Sequence, residues 1–261
     1  MDKRYQDQVV MITGAASGFG RLAAERFADE GAKLALSDIS AEGVAEAAEA
    51  LHAGGTQVVA DVVDVADEAQ VAAHVSHTVD ALGGLDVAVN NAGMGHEMKR
   101  VHHLTVEDWD RTMDVNAKGV FLCMKHQLPV MLAAGKGAIL NVASAAGLLG
   151  AGQLGAYAAA KHAVVGLTRA AADETARKGV RVNAICPSFS STPLFDQMAD
   201  AVSERTGASR EQAYSHIASR VPMARVSEPA EVVQAMLWIC SPENSFMTGQ
   251  AIAIDGGLTA V

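Results

Sequence analysis

Short β-branched runs alternate with longer helix-patterned segments from one end of the chain to the other, and this rhythm limits the fold more than any single motif does. "VVMIT", "KLALSD", "QVVADV", "LDVAVNN", "GAILNVAS", "VRVNAI" and "AIAID" have the composition of strands. The spacing of apolar residues between them predicts helices over 18–30, 41–53, 67–82, 107–133, 155–178 and 228–241. Runs this apolar suit a parallel sheet covered on both faces, so the expectation is an α/β fold: a doubly wound parallel sheet of about seven strands. No repeat, low-complexity tract or linker interrupts residues 1–261, which are therefore expected to form a single domain. The rhythm breaks only from Ser188 to Arg225, an excursion long enough to be a substrate lid.

Composition narrows the partners. The formal net charge is −10 and no Lys/Arg cluster occurs, which disfavours nucleic acid, an acidic membrane surface and an acidic carrier protein. Cys123, Cys186 and Cys240 are odd in number, widely spaced and set in apolar contexts, as expected of reduced core cysteines in a cytoplasmic protein. The N-terminus lacks the apolar run of a signal peptide, and no segment approaches bilayer length. The histidines show no metal-ligand spacing, so no metal is expected.

After the first strand comes "TGAASGFG", in which Gly14, Gly18 and Gly20 allow a tight turn that aims backbone N–H groups and a helix N-terminus at a pyrophosphate. Alone, three glycines can be no more than a tight turn. The context is more specific, because the second strand ends at Asp38, where a carboxylate can accept from both hydroxyls of an adenosine ribose. That carboxylate would repel a 2′-phosphate, and Ala16, Ser17 and Ile39 supply no cation to hold one, so NAD is expected as cofactor and not NADP. Asp38 could instead cap the next helix, although Ser40 is better placed for that. Asp64 and Val65 end the third strand and "NNAG", Asn90 to Gly93 with Ala92, ends the fourth, on the same edge of the sheet. Asp64 is also an ordinary helix-start residue.

Together with "VN" at Val115–Asn116, "NVASAAG" containing Ser144, "YAAAK", and "CPS" followed by Thr192, these motifs resemble the short-chain dehydrogenase/reductase family in order and spacing. The resemblance runs to "MTGQAIAIDGG" at the last strand, and it implies a Rossmann-like domain with a catalytic tetrad of Asn116, Ser144, Tyr157 and Lys161. It also implies contacts to the cofactor from Ser17, Phe19, Ile39, Val65, Ala92, Tyr157, Lys161, Pro187 and Thr192, a water-holding role for Asn116, and a homotetramer or homodimer built on helices 107–133 and 155–178. Two departures stand out. Ser188 replaces the glycine common after Pro187, and Phe19, in place of an aliphatic residue, is expected to pack under its helix or against the cofactor.

The residues themselves support a reaction. Hydride transfer at a carbinol carbon also requires a proton to move at its oxygen, and a free tyrosine, which titrates at about 10, is a poor base at neutral pH. Lys161 lies one turn from Tyr157, where its ammonium would favour the phenolate, as would oxidised nicotinamide. Ser144 would hold the substrate oxygen. Read without their neighbours, Tyr157 and Lys161 are an aromatic stem and a snorkelling amine on an amphipathic helix.

The expected pocket walls, 94–103, 148–154 and 189–198, are mostly small or apolar, including Leu149, Gly150, Ala151, Leu154, Phe189, Leu194, Phe195 and Met198. They suit an apolar or cyclic secondary alcohol or ketone. The polar patch from His96 to His103 reads as a solvated loop, or as a reach toward a substrate carboxylate. Within the family the alternative activity is a 3-oxoacyl-thioester reductase; from another class, a non-catalytic NAD-sensing or scaffold protein. A sugar-nucleotide epimerase is disfavoured because no large C-terminal substrate domain is present.

Overall fold

The computed structural model describes residues 3–261, without the side chains of Leu194, Gln197 and Arg205, so the expected pocket residue Leu194 lies outside the described side chains. Seven strands form one parallel sheet: β1 (Val9–Thr13), β2 (Lys33–Asp38), β3 (Val58–Val62), β4 (Val87–Asn90), β5 (Gly137–Val142), β6 (Val180–Pro187) and β7 (Ala251–Ile254). Their order is β3-β2-β1-β4-β5-β6-β7. β1 pairs with β2 on one side (Val10↔Leu34) and with β4 on the other (Val10↔Val87), so the winding reverses between β1 and β4. In such sheets a ligand binds in the crevice outside the carboxyl ends at that reversal.

Apolar residues alternate between the two faces of each strand, and each set finds its own helices. On one face Val10, Ile12, Leu34 and Leu36 pack with Phe27 of α1 (Gly18–Asp29), Ala47 of α2 (Ala41–Ala53) and Met236 of α9 (Pro229–Cys240). On the other, Met11, Ala35, Ala88 and Ile139 pack with Val75 of α3 (Glu68–Leu82), Met124 of α5 (Gly119–Ala134) and Val164 of α6 (Gly155–Thr175). Ser40 caps α2 by accepting from the Gly43 N–H, as its position suggested. Asp67, not Asp64, caps α3.

Two expectations need revision. The single helix expected over 107–133 is interrupted: α4 (Val106–Met113) passes through one π turn, Asp114–Lys118, before α5 begins. The segment 188–225, expected as a lid, contains two helices that the apolar spacing did not predict, α7 (Pro193–Thr206) and α8 (Arg210–Ala218). Thr192 and Ser209 cap them, and Asp196 accepts from the Tyr214 phenol and pairs with Arg210 at 3.2 Å.

Polar side chains cross the interior just below the site. Asn90 donates to Gln127 Oε1 (3.1 Å) and to Asn141 Oδ1 (2.9 Å), Gln127 returns a bond to Asn90 Oδ1 (2.8 Å), and Asn141 donates to Thr168 Oγ1 (2.9 Å). All four are fully or almost fully buried, so the network ties β4 and β5 to α5 and α6 with its partners matched. The Asn90 side chain is therefore taken up by the interior, which leaves its main chain at the end of β4 to meet the crevice. At the sheet edge, His74 and His77 of α3 both turn Nδ1 toward Asp61 of β3, at 2.7 and 2.9 Å, and these bonds hold its carboxyl down at about 2.

Asn141→Ala removes the acceptor for one N–H of the buried Asn90 amide and the donor to the Thr168 hydroxyl, which keeps its own bond to the Val164 carbonyl. The variant is expected to lose roughly 2 kcal/mol of stability, read as a lower urea midpoint with an unchanged slope.

Candidate active site

The crevice begins where the end of β1 meets the end of β4. Gly14 has φ +67°, and a Cβ there would lie 2.8 Å from Ala92 Cα; a Cβ at Gly20 would lie 2.0 Å from the Gly14 carbonyl oxygen. Side chains are therefore excluded at both positions, and the loop stays low against "NNAG". Asn91 stitches the contact, its Nδ2 donating to the carbonyls of Thr13 and Gly14 at 3.0 Å each. The Thr13 hydroxyl accepts from the N–H groups of Asn91 and Ala92.

Ser17 opens α1 with extended backbone and no side-chain cap, and the first turn carries no acidic residue. The N–H groups of that turn are thus left for an anion, and no carboxylate opposes it. Phe19 packs on the core beside α1, as expected of one of its two placements. Thr192, the N-cap of α7, lies beside Gly18, its Cβ 4.0 Å from where a Cβ would sit on that glycine.

Asp38 ends β2 beside this loop. Its Oδ2 accepts from the Ala16 N–H (3.0 Å) and its Oδ1 from the Ser40 N–H (2.9 Å), so the carboxylate is oriented by backbone and keeps lone pairs for another donor. Ile39 next to it is 71% exposed. Asp64 closes its own turn, Oδ1 accepting from the Ala66 N–H at 2.9 Å, while Val65 is buried. These residues present a rim that fits an adenosine: a carboxylate, an exposed aliphatic side chain and a buried valine.

Toward the other end, β5 delivers Ser144 and α6 delivers Tyr157 and Lys161. Ser144 follows the strand with extended backbone, accepts from the Ala146 N–H (3.1 Å), approaches the Pro187 carbonyl at 3.5 Å, and lies near enough to the Tyr157 phenol to act on it. Lys161 is buried, its Nζ donates to the Val142 carbonyl at 2.8 Å, and it lies 5.5 Å from the Tyr157 ring centre. Burial draws its ammonium down to about 8. The phenol moves the other way: burial raises it, and the Ser144 hydroxyl pulls it partly back. The ammonium is bonded to the Val142 carbonyl and makes no direct hydrogen bond to the phenol among the described residues.

Asn116 sits fully buried in the π turn. Its Oδ1 accepts from the Met94 N–H (3.1 Å), and its Nδ2 donates to the carbonyls of Met94 (2.9 Å) and Thr112 (3.0 Å). The side chain therefore anchors the segment after "NNAG" and has little left to hold water. Gly93 brings it to the lysine: a Cβ there would lie 2.8 Å from Asn116 Oδ1 and 3.5 Å from Lys161 Nζ.

The first two expected walls meet. Lys99 pairs with Leu154 in an isolated parallel bridge, its N–H donating to the Gln153 carbonyl at 3.0 Å. Its Nζ is held by Asp108 (2.9 Å) and Glu97 (3.1 Å), and the His96 Nδ1 turns to the Glu97 carbonyl at 2.7 Å, while His96 Nε2 is buried without a partner among the described residues. In the third wall Phe195 is buried between Phe189 and Tyr214, at 6.0 and 4.7 Å, and closes the lid instead of lining it. Gln153 (φ 66°) and Ala224 (φ 53°), non-glycine residues in left-handed backbone, end the segments that border the cleft. The sequence reading missed the π turn and the role of Asn91, whose two carbonyl bonds no spacing rule announces.

A family model described as enoyl-(acyl carrier protein) reductase matches residues 14–259. The chain is 36% identical to a cyclohexanol dehydrogenase of Acinetobacter sp. (strain SE19), over 100% of this chain and 98% of that one. It is 38% identical to a cis-4-hydroxycyclohexanecarboxylate dehydrogenase of Sinomonas cyclohexanicum, with 100% of each covered. A levodione reductase crystal structure superposes with a TM-score of 0.95 at 37% identity, covering 99% of this chain and all of the other. An actinorhodin polyketide ketoreductase variant solved with NADPH superposes with a TM-score of 0.93 at 33% identity, over 98% of this chain and all of that one.

Burial of Lys161 has a measurable cost. Its folded value of about 8 lies below the ordinary 10.5, so the cost is fully present below pH 8 and shrinks as pH rises toward 10.5, where the native amine sheds its proton first. Lys161→Met is expected to gain up to roughly 3 kcal/mol at pH 7, less what the lost bond to Val142 contributes, with the gap closing above pH 8. Denaturant melts across pH check this; a pH-independent gap, or a less stable variant at pH 7, contradicts it.

Proposed function

The chain belongs to the short-chain dehydrogenase/reductase family, and on that premise we propose that it is an NAD-dependent oxidoreductase moving a hydride between nicotinamide and an apolar or cyclic secondary alcohol or its ketone. One observation carries the chemistry: the Ser144 hydroxyl meets the Tyr157 phenol beside a buried Lys161, on the edge of the sheet where the glycine loop and Asp38 also lie.

NAD⁺, when bound, accepts the hydride, and its positive ring adds to the lysine charge in favouring the phenolate. The protein supplies position and proton. The N-terminus of α1 and the loop of Gly14, Gly18 and Gly20 would hold the pyrophosphate. Asp38 would accept from the adenosine ribose hydroxyls, with Ile39, Asp64 and Val65 around the adenine and Ala92, Gly93, Pro187 and Thr192 toward the nicotinamide. Lys161 would bind the nicotinamide ribose. Ser144 Oγ donates to the substrate oxygen and holds it against Tyr157 Oη, which takes the alcohol proton in oxidation and returns it in reduction. Because the Asn116 side chain is committed to Met94 and Thr112, we assign it to hold the 94 segment against Lys161. Proton relay then falls to main-chain groups of the π turn, where helical bonding is widened.

The relatives that act on cyclohexane rings and the largely apolar cleft both support a cyclic substrate. Partly exposed Trp109 and Phe121 on α4 and α5 support pairing between copies through the long helices, as a homotetramer or homodimer. Three free, buried cysteines support a cytoplasmic setting. The description of the family model and the NADPH-bound neighbour favour a second reading, a 3-oxoacyl-thioester reductase, which the carboxylate of Asp38 opposes. A non-catalytic NAD-binding role would not require all four tetrad positions, which are filled here.

Initial rates on cyclohexanol and aryl or acyl secondary alcohols are expected to favour NAD⁺ over NADP⁺ by at least roughly tenfold, from the repulsion between Asp38 and a 2′-phosphate. An NADP⁺ preference overturns the assignment of Asp38. Tyr157→Phe is expected to bind NADH normally in a fluorescence titration while losing about 10²–10⁴ in kcat; surviving turnover overturns the acid/base assignment.

A further inference from the structure

Ser188 stands where the family commonly has glycine, and its surroundings give it a use. Its backbone is not in the left-handed region, so the position carries a side chain without strain. Its N–H continues the β6–β7 ladder, donating to the Ile254 carbonyl at 3.3 Å. Extended chain alternates its faces, so Ser188 points to the same side as Cys186. The Cys186 thiol is buried and lies in the field of Lys161. Ser188 thereby falls on the reacting face, one residue beyond the Pro187 carbonyl that the Ser144 hydroxyl approaches at 3.5 Å.

Its hydroxyl has no hydrogen-bond partner among the described residues, yet it is not among the sealed and unpartnered polar atoms, which are Ser37 Oγ, His74 Nε2 and His96 Nε2. The residue is half-buried. An accessible, unused hydroxyl therefore borders an otherwise apolar cleft beside the group assigned to hold the reacting oxygen.

We propose that Ser188 reads a second oxygen on the carbon next to the reacting carbinol, so that the preferred substrates are vicinal diols or 2-hydroxyketones on a carbocyclic ring; this rests on the dehydrogenase reading above. The selection works by penalty as well as attraction. When an alcohol lacking that oxygen enters and displaces water, the Ser188 hydroxyl is left unpaired in a dry cleft. A vicinal oxygen pairs with it as acceptor or donor, because a serine hydroxyl offers both. A substituent across the ring is held on the far side from the carbinol oxygen, so it does not share the neighbourhood of Ser144 and Pro187 from which Ser188 projects.

The test compares kcat/KM for cyclohexanol, 1,2-cyclohexanediol and 1,4-cyclohexanediol in wild type and Ser188→Ala, with the KM for NAD⁺ measured alongside. The expected result is a ratio of 1,2-diol to cyclohexanol that falls roughly tenfold to a hundredfold in Ser188→Ala, with the 1,4-diol ratio unmoved. An unchanged 1,2-diol ratio overturns the proposal while leaving the dehydrogenase reading standing. So does a loss shared equally by all three alcohols with a raised KM for NAD⁺, which would make Ser188 a cofactor contact, or a loss confined to the 1,4-diol. If wild type turns over none of the three with either cofactor, the dehydrogenase reading fails and this proposal fails with it.

Discussion

The contact between the ends of β1 and β4 governs everything at the crevice. The winding of the sheet reverses there, so no crossover helix covers the gap, and the chain must close it with small residues and with a side chain that bonds backbone. Gly14 and Gly20 make the closure possible, and Asn91 makes it specific, bonding the carbonyls of both Thr13 and Gly14. The N-terminus of α1, the carboxylate of Asp38 and the segment that carries Gly93 all take their positions from this seam. A looser approach would tilt α1 away from the sheet, and the phosphate end would lose its alignment with the reacting end.

The reacting end is assembled by burial more than by charge pairing. Lys161 is placed inside the protein with one carbonyl as partner, which makes its ammonium costly and easily discharged. Tyr157 is raised by the same desolvation, and only Ser144 counters it. Under the same apolar cover the two shift apart, the lysine down to about 8 and the tyrosine upward, so that burial alone favours the neutral form of each. The cover comes from Gly93 and the 94 segment, which Asn116 pins by two bonds to Met94.

Periodicity alone was enough to place α2 from Ala41 to Ala53 and the seven strands to within about two residues, because their apolar faces are buried on both sides of the sheet and the pattern is strong. The neighbourhood of Ser144, Tyr157 and Lys161 and the seam made by the glycine loop were legible through the order of their motifs along the chain. The π turn at Asp114–Lys118 was not, since a widened turn leaves the 3.6-residue pattern of its flanks almost unchanged, and only the poor helix former Asn116 hinted at it. Nor did spacing reveal that Asn90 faces inward to Gln127 and Asn141; an amide at a strand end reads the same whether it meets a ligand or a neighbour. The helices of the lid escaped because α8 has a nearly uniform polarity around its axis, so its identity rests on its cap at Ser209 and its packing against α7 through Tyr214 and Asp196.

Asp38 joins these threads, because cofactor choice and loop shape are not separable there. One carboxylate oxygen accepts from Ala16 inside the glycine loop and the other from Ser40 at the start of α2. A residue chosen only to admit a 2′-phosphate would remove the acceptor that orients the Ala16 N–H, and the loop would lose a tie on the side away from Asn91. On the NAD assignment proposed above, discrimination between the two nicotinamide cofactors would rest on the same carboxylate whose bonds shape the phosphate turn. Relaxing it would take a compensating acceptor for Ala16 as well as a cation for the phosphate, and among the nearby residues Ala16, Ser17 and Ile39 none supplies the cation.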